Sequence, residues 1–235
     1  MPKKRLPDTF LALLFLLLAL PVRSETTLPE FSHDYHIYRG ETTAARARMR
    51  LYPVNGYWVW ELKSEPVGWL RLLTRKKPYS ETWLRLQEDE PRLMLSRSGD
   101  YKDKPAERST WFDHDKGRLY YARKDKTRQL DFQPPVYDYL TVHLLYPKLL
   151  EQADRRLEIP FYKKGKIKKS QLTLEPEVTL RSGDKTLTLD RVTQTLEGSD
   201  KRMIYYYRRG EIAPVKIEQY KGKSEKSVMW RDDVK

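Results

Sequence analysis

The chain has 235 residues with Lys+Arg 46 against Asp+Glu 33, a formal charge of +13, and 39% hydrophobic residues. Aromatics reach 12%, with 16 Tyr and 6 Trp, a content that excludes a disordered polymer. With no cysteine, disulfides, thiolate zinc sites, cysteine nucleophiles and lipidation of an N-terminal Cys are excluded.

The first 24 residues have the layout of a secretory signal peptide: a basic start at Lys3, Lys4 and Arg5, an unbroken apolar run from Leu11 to Leu20, and a break at Pro21. Ten apolar residues at about 1.5 Å each reach roughly half of a ~30 Å hydrocarbon slab, so the segment predicts cleavage after Ser24 rather than a stable span. Removing it takes away Lys3, Lys4, Arg5, Arg23 and Asp8, which lowers the charge from +13 to +10. Residues 25–235 are then one exported domain without a membrane span. The expected address is the periplasm, with secretion into the medium as the alternative.

From residue 34 onward the apolar period is two. Ala45 to Leu51 alternates apolar residues with Arg46, Arg48 and Arg50, so a strand would turn Ala45, Ala47, Met49 and Leu51 to a core. Asn55-Gly56 supplies a tight hairpin turn, and Trp58, Trp60 and Leu62 then share one face. Further alternating runs are Trp69–Thr74, Trp83–Gln87, Leu93–Ser96, Ser109–Phe112, Leu119–Arg123, Gln129–Phe132, Leu157–Tyr162, Gln171–Thr179, Thr186–Asp190, Met203–Tyr207 and Val215–Tyr220. The pattern predicts a mainly β protein: a large curved antiparallel sheet or open β-barrel-like domain. Charged outward positions such as Arg46, Arg48, Arg50, Arg85 and Asp190 argue against an outer-membrane barrel. One segment departs from the rhythm. Asp138 to Ala153 spaces Leu140, Leu144, Leu145 and Leu149 as a helical face, with Asp138 as cap and Pro147 forcing a kink or two short helices. Its economical place is as a plug or lid over the open end of the curved sheet.

The order of these features resembles an exported bacterial family known as domain of unknown function 3108. The resemblance rests on Tyr35-His36-Ile37-Tyr38-Arg39-Gly40, Gly56-Tyr57-Trp58, Gly68-Trp69-Leu70, Trp111-Phe112-Asp113, Val136-Tyr137-Asp138-Tyr139-Leu140-Thr141 and Ala213-Pro214-Val215-Lys216-Ile217. One departure is Tyr205-Tyr206-Tyr207, where the family has a Trp. The resemblance implies an antiparallel, β-rich exported domain and no particular reaction. In architecture it is also similar to periplasmic lipoprotein carriers, open half-barrels that hold acyl chains under a helical lid.

No motif argues for catalysis. The four histidines, His33, His36, His114 and His143, lack metal-ligand spacing, and there is no Gly-x-Ser-x-Gly, P-loop or dinucleotide fingerprint. Asp113 reads as the end of a strand and Asp138 as a helix cap. No cofactor or metal is expected, and the protein reads as non-catalytic. The tryptophans fill a core or line an apolar pocket; on the second reading Trp58, Trp60, Trp69, Leu144 and Leu145 contact an apolar envelope component such as a lipid. Lys163, Lys164, Lys166, Lys168 and Lys169 form a basic hairpin tip, either a solvated edge or a contact for anionic headgroups. The export signal makes nucleic acid an improbable partner for this basic chain. Two functions follow: a binding or carrier-like protein for an apolar envelope component, or an envelope structural protein that uses its basic surface and holds no ligand.

Overall fold

The structure, a computed structural model, describes residues 27–88, 90–101 and 105–234. The export segment expected over residues 1–24 lies outside the described residues. Eight strands form a first meander: β1 (Phe31–Arg39), β2 (Thr42–Val54), β3 (Tyr57–Pro66), β4 (Pro78–Gln87), β5 (Glu90–Asp100), β6 (Arg108–Asp113), β7 (Arg118–Arg123) and β8 (Lys126–Asp131). Six form a second: β9 (Arg156–Tyr162), β10 (Ile167–Ser182), β11 (Lys185–Leu196), β12 (Lys201–Tyr207), β13 (Lys216–Lys221) and β14 (Ser224–Arg231). Antiparallel pairing of β1 with β14, in register from Tyr35↔Arg231 to Tyr38↔Val228, joins them into one 14-stranded sheet. The expected large antiparallel sheet is therefore present, and β8 and β9 are its two outer edges.

The sheet curls until its ends meet through side chains. Phe112, Leu119 and Tyr121 from the first meander share a buried cluster with Tyr162, and Ile167 packs against it. The Tyr121 ring lies so close to Gly165 that a Cβ there would sit 2.7 Å from it, so only glycine fits. The crossover from β8 to β9 runs along the β9 edge, where Tyr137 N donates to Pro160 O (3.0 Å) and Tyr162 N to Tyr137 O (2.7 Å). The result is an open barrel whose seam is bridged rather than hydrogen-bonded strand to strand.

Local chemistry explains the strongest elements. Asn55 and Gly56 adopt φ of 48° and 79°, the positive angles of a primed hairpin turn. Ala47, Met49 and Leu51 are buried as the alternation predicts, while Arg48 pairs with Asp34 at 2.7 and 2.9 Å on the outer face. A register shift between Ile37 and Tyr38 displaces the start of β2, so Ala44 rather than Ala45 is buried there.

The crossover carries the helical segment in two pieces, as Pro147 requires: a 3-10 turn (Thr141–Leu145) followed by a short helix, Tyr146–Glu151. This segment plugs the interior. Val142, Leu145, Tyr146 and Leu149 pack with Ile159, Phe161, Leu172, Val192, Tyr205 and Tyr207, and Leu140 packs with Tyr35, Met49, Leu51 and Trp60. Among the described residues, no helix is long and apolar enough to cross a membrane.

One expectation fails, and one strand is absent from the alternating runs. The run Trp69–Thr74 is not a strand but a single helical turn, α1 (Leu70–Leu73), entered through Gly68 at φ 56°. β2 and β4 already occupy both edges of β3, so the residues between β3 and β4 have no free edge to join. Conversely, β14 lies outside the alternating runs, because its first half, Ser224-Glu225-Lys226-Ser227, carries no apolar residue to mark a face. The helix Tyr146–Glu151 is designated α2 below.

Candidate functional site

On β1–β3 and β9–β12 the inward positions carry bulky side chains that fill the interior around the plug. On β4–β6 Leu84, Leu93 and Phe112 continue this filling at one end, but toward the other end the inward positions carry small hydroxyls. Strand register aligns these in two rows: Thr82, Ser96, Thr110 and Tyr121 in one, Ser80, Ser98 and Arg108 in the other. Small side chains over a curved sheet leave space, and a cavity of about 440 Å³ opens here. Its walls are completed by Tyr79, Tyr139, Leu140 and Tyr162, and its rim by Lys76, Arg97, Lys163 and Lys164.

The inner row is satisfied within the protein. Asp138, buried, accepts from Thr82 Oγ1 and from Ser96 Oγ (3.2 Å) through Oδ2. Through Oδ1 it accepts from Leu140 N, Thr141 N and Thr141 Oγ1, each at 3.0 Å. It thus caps the 3-10 turn, as the sequence suggests, and also ties that turn to β4 and β5. Thr110 and Tyr162 share a hydroxyl–hydroxyl hydrogen bond, and Gly165 N donates to Tyr162 Oη at 3.0 Å.

The rim differs. Arg97 is engaged by Glu81, and Lys76 lies 3.9 Å from Glu107. Arg108 Nε is buried without a hydrogen-bond partner among the described residues. Neither Lys163 nor Lys164 forms an ion pair in the described structure; Lys163 Nζ instead stands 5.2 Å over the Tyr139 ring. Burial holds both ammonium groups below the usual lysine range, and Lys164 is lowered further by Arg108, Lys163, Lys201 and Arg123. The cations gathered around Lys164 lower its affinity for protons, and such a cluster of positive charge favours an anion. The carboxylates Asp100, Glu107 and Asp138 also line the cavity, and Asp100 Oδ1 accepts from Lys77 N at 2.9 Å.

The five candidate apolar contacts do not meet at this cavity. Trp60 is fully buried against Phe31 and His143, with Trp58 and Leu144 packed against the same cluster. Leu145 lies in the core with α2, and Trp69 stands in solvent. The five tip lysines also divide. Lys163 and Lys164 reach the cavity, while Lys166 and Lys168 line an open groove beside Arg128 and Leu130. Lys168 Nζ donates to Glu197 O (3.1 Å), and Lys169 pairs with Glu158 (3.1 Å). Sequence reasoning passed over Ser80, Thr82, Ser96, Ser98, Arg108 and Thr110; the available signal was a run of small hydroxyls at alternating strand positions.

No histidine lines the cavity. His36 Nδ1 lies 2.7 Å from Asp232 Oδ1, His114 Nε2 lies 2.7 Å from Leu93 O, His33 stacks on Phe31 and His143 is in the core. Among the described residues no group of three or more His, Asp or Glu could hold a metal ion.

Comparison with known families matches residues 34–226, from β1 into β14, to the profile described as "Protein of unknown function (DUF3108)". The chain belongs to the DUF3108 family. Curated proteins give no match. A solved structure, the β-barrel-like protein of domain of unknown function DUF1849 from Brucella abortus, is similar in fold at 8% identity and a TM-score of 0.52. The likeness covers 86% of this chain and 94% of that one. The segments through which the chain resembles DUF3108 take structural places: Asp113 closes β6 and accepts from Lys116 N, Asp138 caps the plug, and Pro214 O accepts from Tyr35 Oη.

Proposed function

We propose that this DUF3108 protein is a non-catalytic, exported binding protein of the bacterial periplasm, and that it holds an amphiphilic, anionic envelope component in the cavity between β4–β6 and the β9–β10 hairpin. The observation that carries this reading is the pairing of an aromatic-walled space of about 440 Å³ with Arg108, whose buried Nε has no hydrogen-bond partner among the described residues, and with the Lys163 and Lys164 ammonium groups at its rim. That volume falls in the range of small-molecule sites, which combine apolar walls with few polar groups. The centre of the barrel is filled, so the ligand's apolar part rests on Tyr79, Tyr121, Tyr139 and Leu140 at the barrel's end instead of on Trp58 or Trp60.

Native mass spectrometry tests this on the soluble product of the full-length coding sequence, recovered from a bacterial periplasm. The expected result is an adduct lost on unfolding. Its occupancy should fall about tenfold or more in Arg108→Ser with Lys164→Ser, since a hydrogen bond to a charged group contributes roughly 1.5–3 kcal/mol. A bare mass, or an adduct equally retained by the variant, would sink the proposal.

A further inference from the structure

Between β3 and β4 the chain leaves the sheet as a knob, Val67–Lys77, on which three large apolar side chains face outward while Val67 and Leu70 are half-buried. Trp69 is 59% exposed, Leu72 87% and Leu73 71%. The knob is nonetheless ordered by its own backbone. Arg71 N donates to Gly68 O (3.2 Å), Leu72 N to Trp69 O (3.0 Å) and Thr74 N to Leu70 O (3.0 Å), while Val67 N is anchored on Ala44 O (3.1 Å). Three large apolar groups held in water on an internally hydrogen-bonded turn need a reason, since core packing does not supply one.

Arg71, Arg75, Lys76 and Lys77 lie on the same segment. Lys77 pairs with Glu65 (2.6 Å) and Lys76 approaches Glu107, but Arg71 and Arg75 have no ion-pair partner among the described residues. A tryptophan and two leucines set among cations match a lipid interface: the apolar groups reach the acyl boundary and the cations meet headgroup phosphates. The shape points the same way. A stable protein interface covers ~800 Å² on each partner, whereas a convex one-turn tip offers three side chains, which a fluid surface envelops without needing a matching groove. The internal backbone hydrogen bonds matter too, because insertion then strips water from few unsatisfied N–H and C=O groups.

From this we infer that the knob docks the protein onto an anionic lipid surface, with Trp69, Leu72 and Leu73 inserted and Arg71 and Arg75 on the headgroups. The docking is separate from what fills the cavity. It nevertheless places the cavity at the membrane, since Lys76 and Pro78, at the base of the knob, line its rim.

Vesicle flotation of the soluble product of the full-length coding sequence tests the inference, its N-terminus read by intact mass and matched among variants. The wild type should float with vesicles of phosphatidylglycerol and phosphatidylcholine. The combined Trp69→Ser, Leu72→Ser and Leu73→Ser variant should lose about tenfold or more of that binding. Arg71→Gln with Arg75→Gln should lower binding to these vesicles and leave the weaker binding to phosphatidylcholine alone unchanged. Because all five side chains point away from the core, the thermal midpoints should match the wild type and report intact folds. Failure of the wild type to float overturns the inference, as does equal flotation of the serine variant. A dimer in sedimentation, abolished by the serine variant and unaccompanied by vesicle binding, overturns it in favour of a second copy of the chain.

Discussion

His143 is the residue whose burial has the clearest consequence for the whole chain. It sits in the plug with its Nδ1 2.7 Å from Tyr207 Oη and its ring 4.8 Å from that of Tyr205 and 5.4 Å from that of Trp60. No carboxylate compensates it, and burial alone pushes the ring down to about 3. The unfolded chain titrates this histidine near 6.5, so between those values the unfolded state binds the additional proton. Stability from the neutral ring is therefore complete above about pH 6.5 and is lost as the pH falls toward 3. At about pH 4.5 the loss should be roughly 2–3 kcal/mol. His143→Gln keeps a polar partner for Tyr207 but cannot take up the proton. Urea unfolding at neutral pH and at about pH 4.5 should show a smaller acid loss in this variant by that amount. Asp34, Asp113, Asp190 and Asp233, held below the usual carboxylate range, lose their contributions in both chains alike, so equal acid losses would refute the assignment.

The two short helical elements, alike in composition, have opposite fates. In the plug, Leu145 and Leu149 are buried, Tyr146 stacks on Tyr207 with centroids 4.3 Å apart, and Tyr146 Oη donates to Asp190 Oδ2 at 2.7 Å. In α1, Leu72 and Leu73 face water. Leu145→Ala should accordingly cost about 2–5 kcal/mol of unfolding free energy, and Leu72→Ala less than about 0.5 kcal/mol, read by denaturant titration. Equal costs would mean that one of these elements is misplaced. The contrast shows what local sequence encodes. The plug was legible because its leucines fall on one helical face and Pro147 marks its break. The alternation in β2 and β3 was legible because arginines and apolar residues cannot exchange faces. The segment Trp69–Thr74 was not, since four apolar residues among two polar ones fit either period, and only the occupied edges of β3 decide. The cavity was least legible. A serine on a strand reads the same whether it faces solvent or the interior, and the rows Thr82–Ser96–Thr110 and Ser80–Ser98–Arg108 exist only through register across β4, β5 and β6. The lysine cluster announced itself, but the division between Lys163 and Lys164 at the cavity and Lys169 on Glu158 depends on the twist of a hairpin tip.

At the scale of the molecule, stability should be graded outward from the β1–β14 pairing, where the two meanders meet. Tyr35, fully buried on β1, donates through its hydroxyl to Pro214 O at 2.8 Å. Arg231, its partner in register on β14, is buried with Glu211 at 2.6 Å and Asp233 at 2.7 Å, an arrangement that is strongly destabilising to break once desolvated. The outer edges are unequal. β9 is covered by the crossover through Tyr137, whereas β8 pairs only with β7 and exposes Lys126, Thr127, Arg128 and Gln129. Charges along that open edge oppose the addition of another chain's strand, but they also leave β8 with little burial to hold it. Local openings should therefore begin at β8, with β1, β2 and β14 opening only with the whole domain. Amide hydrogen exchange at neutral pH, read by mass spectrometry of proteolytic fragments, should find the hydrogen-bonded amides of β8 exchanging about a hundredfold or more faster than those of β1 and β14. Faster exchange at β1 and β14 than at β8 would show that the two meanders separate first. The fold would then be two docked units rather than a single curled sheet.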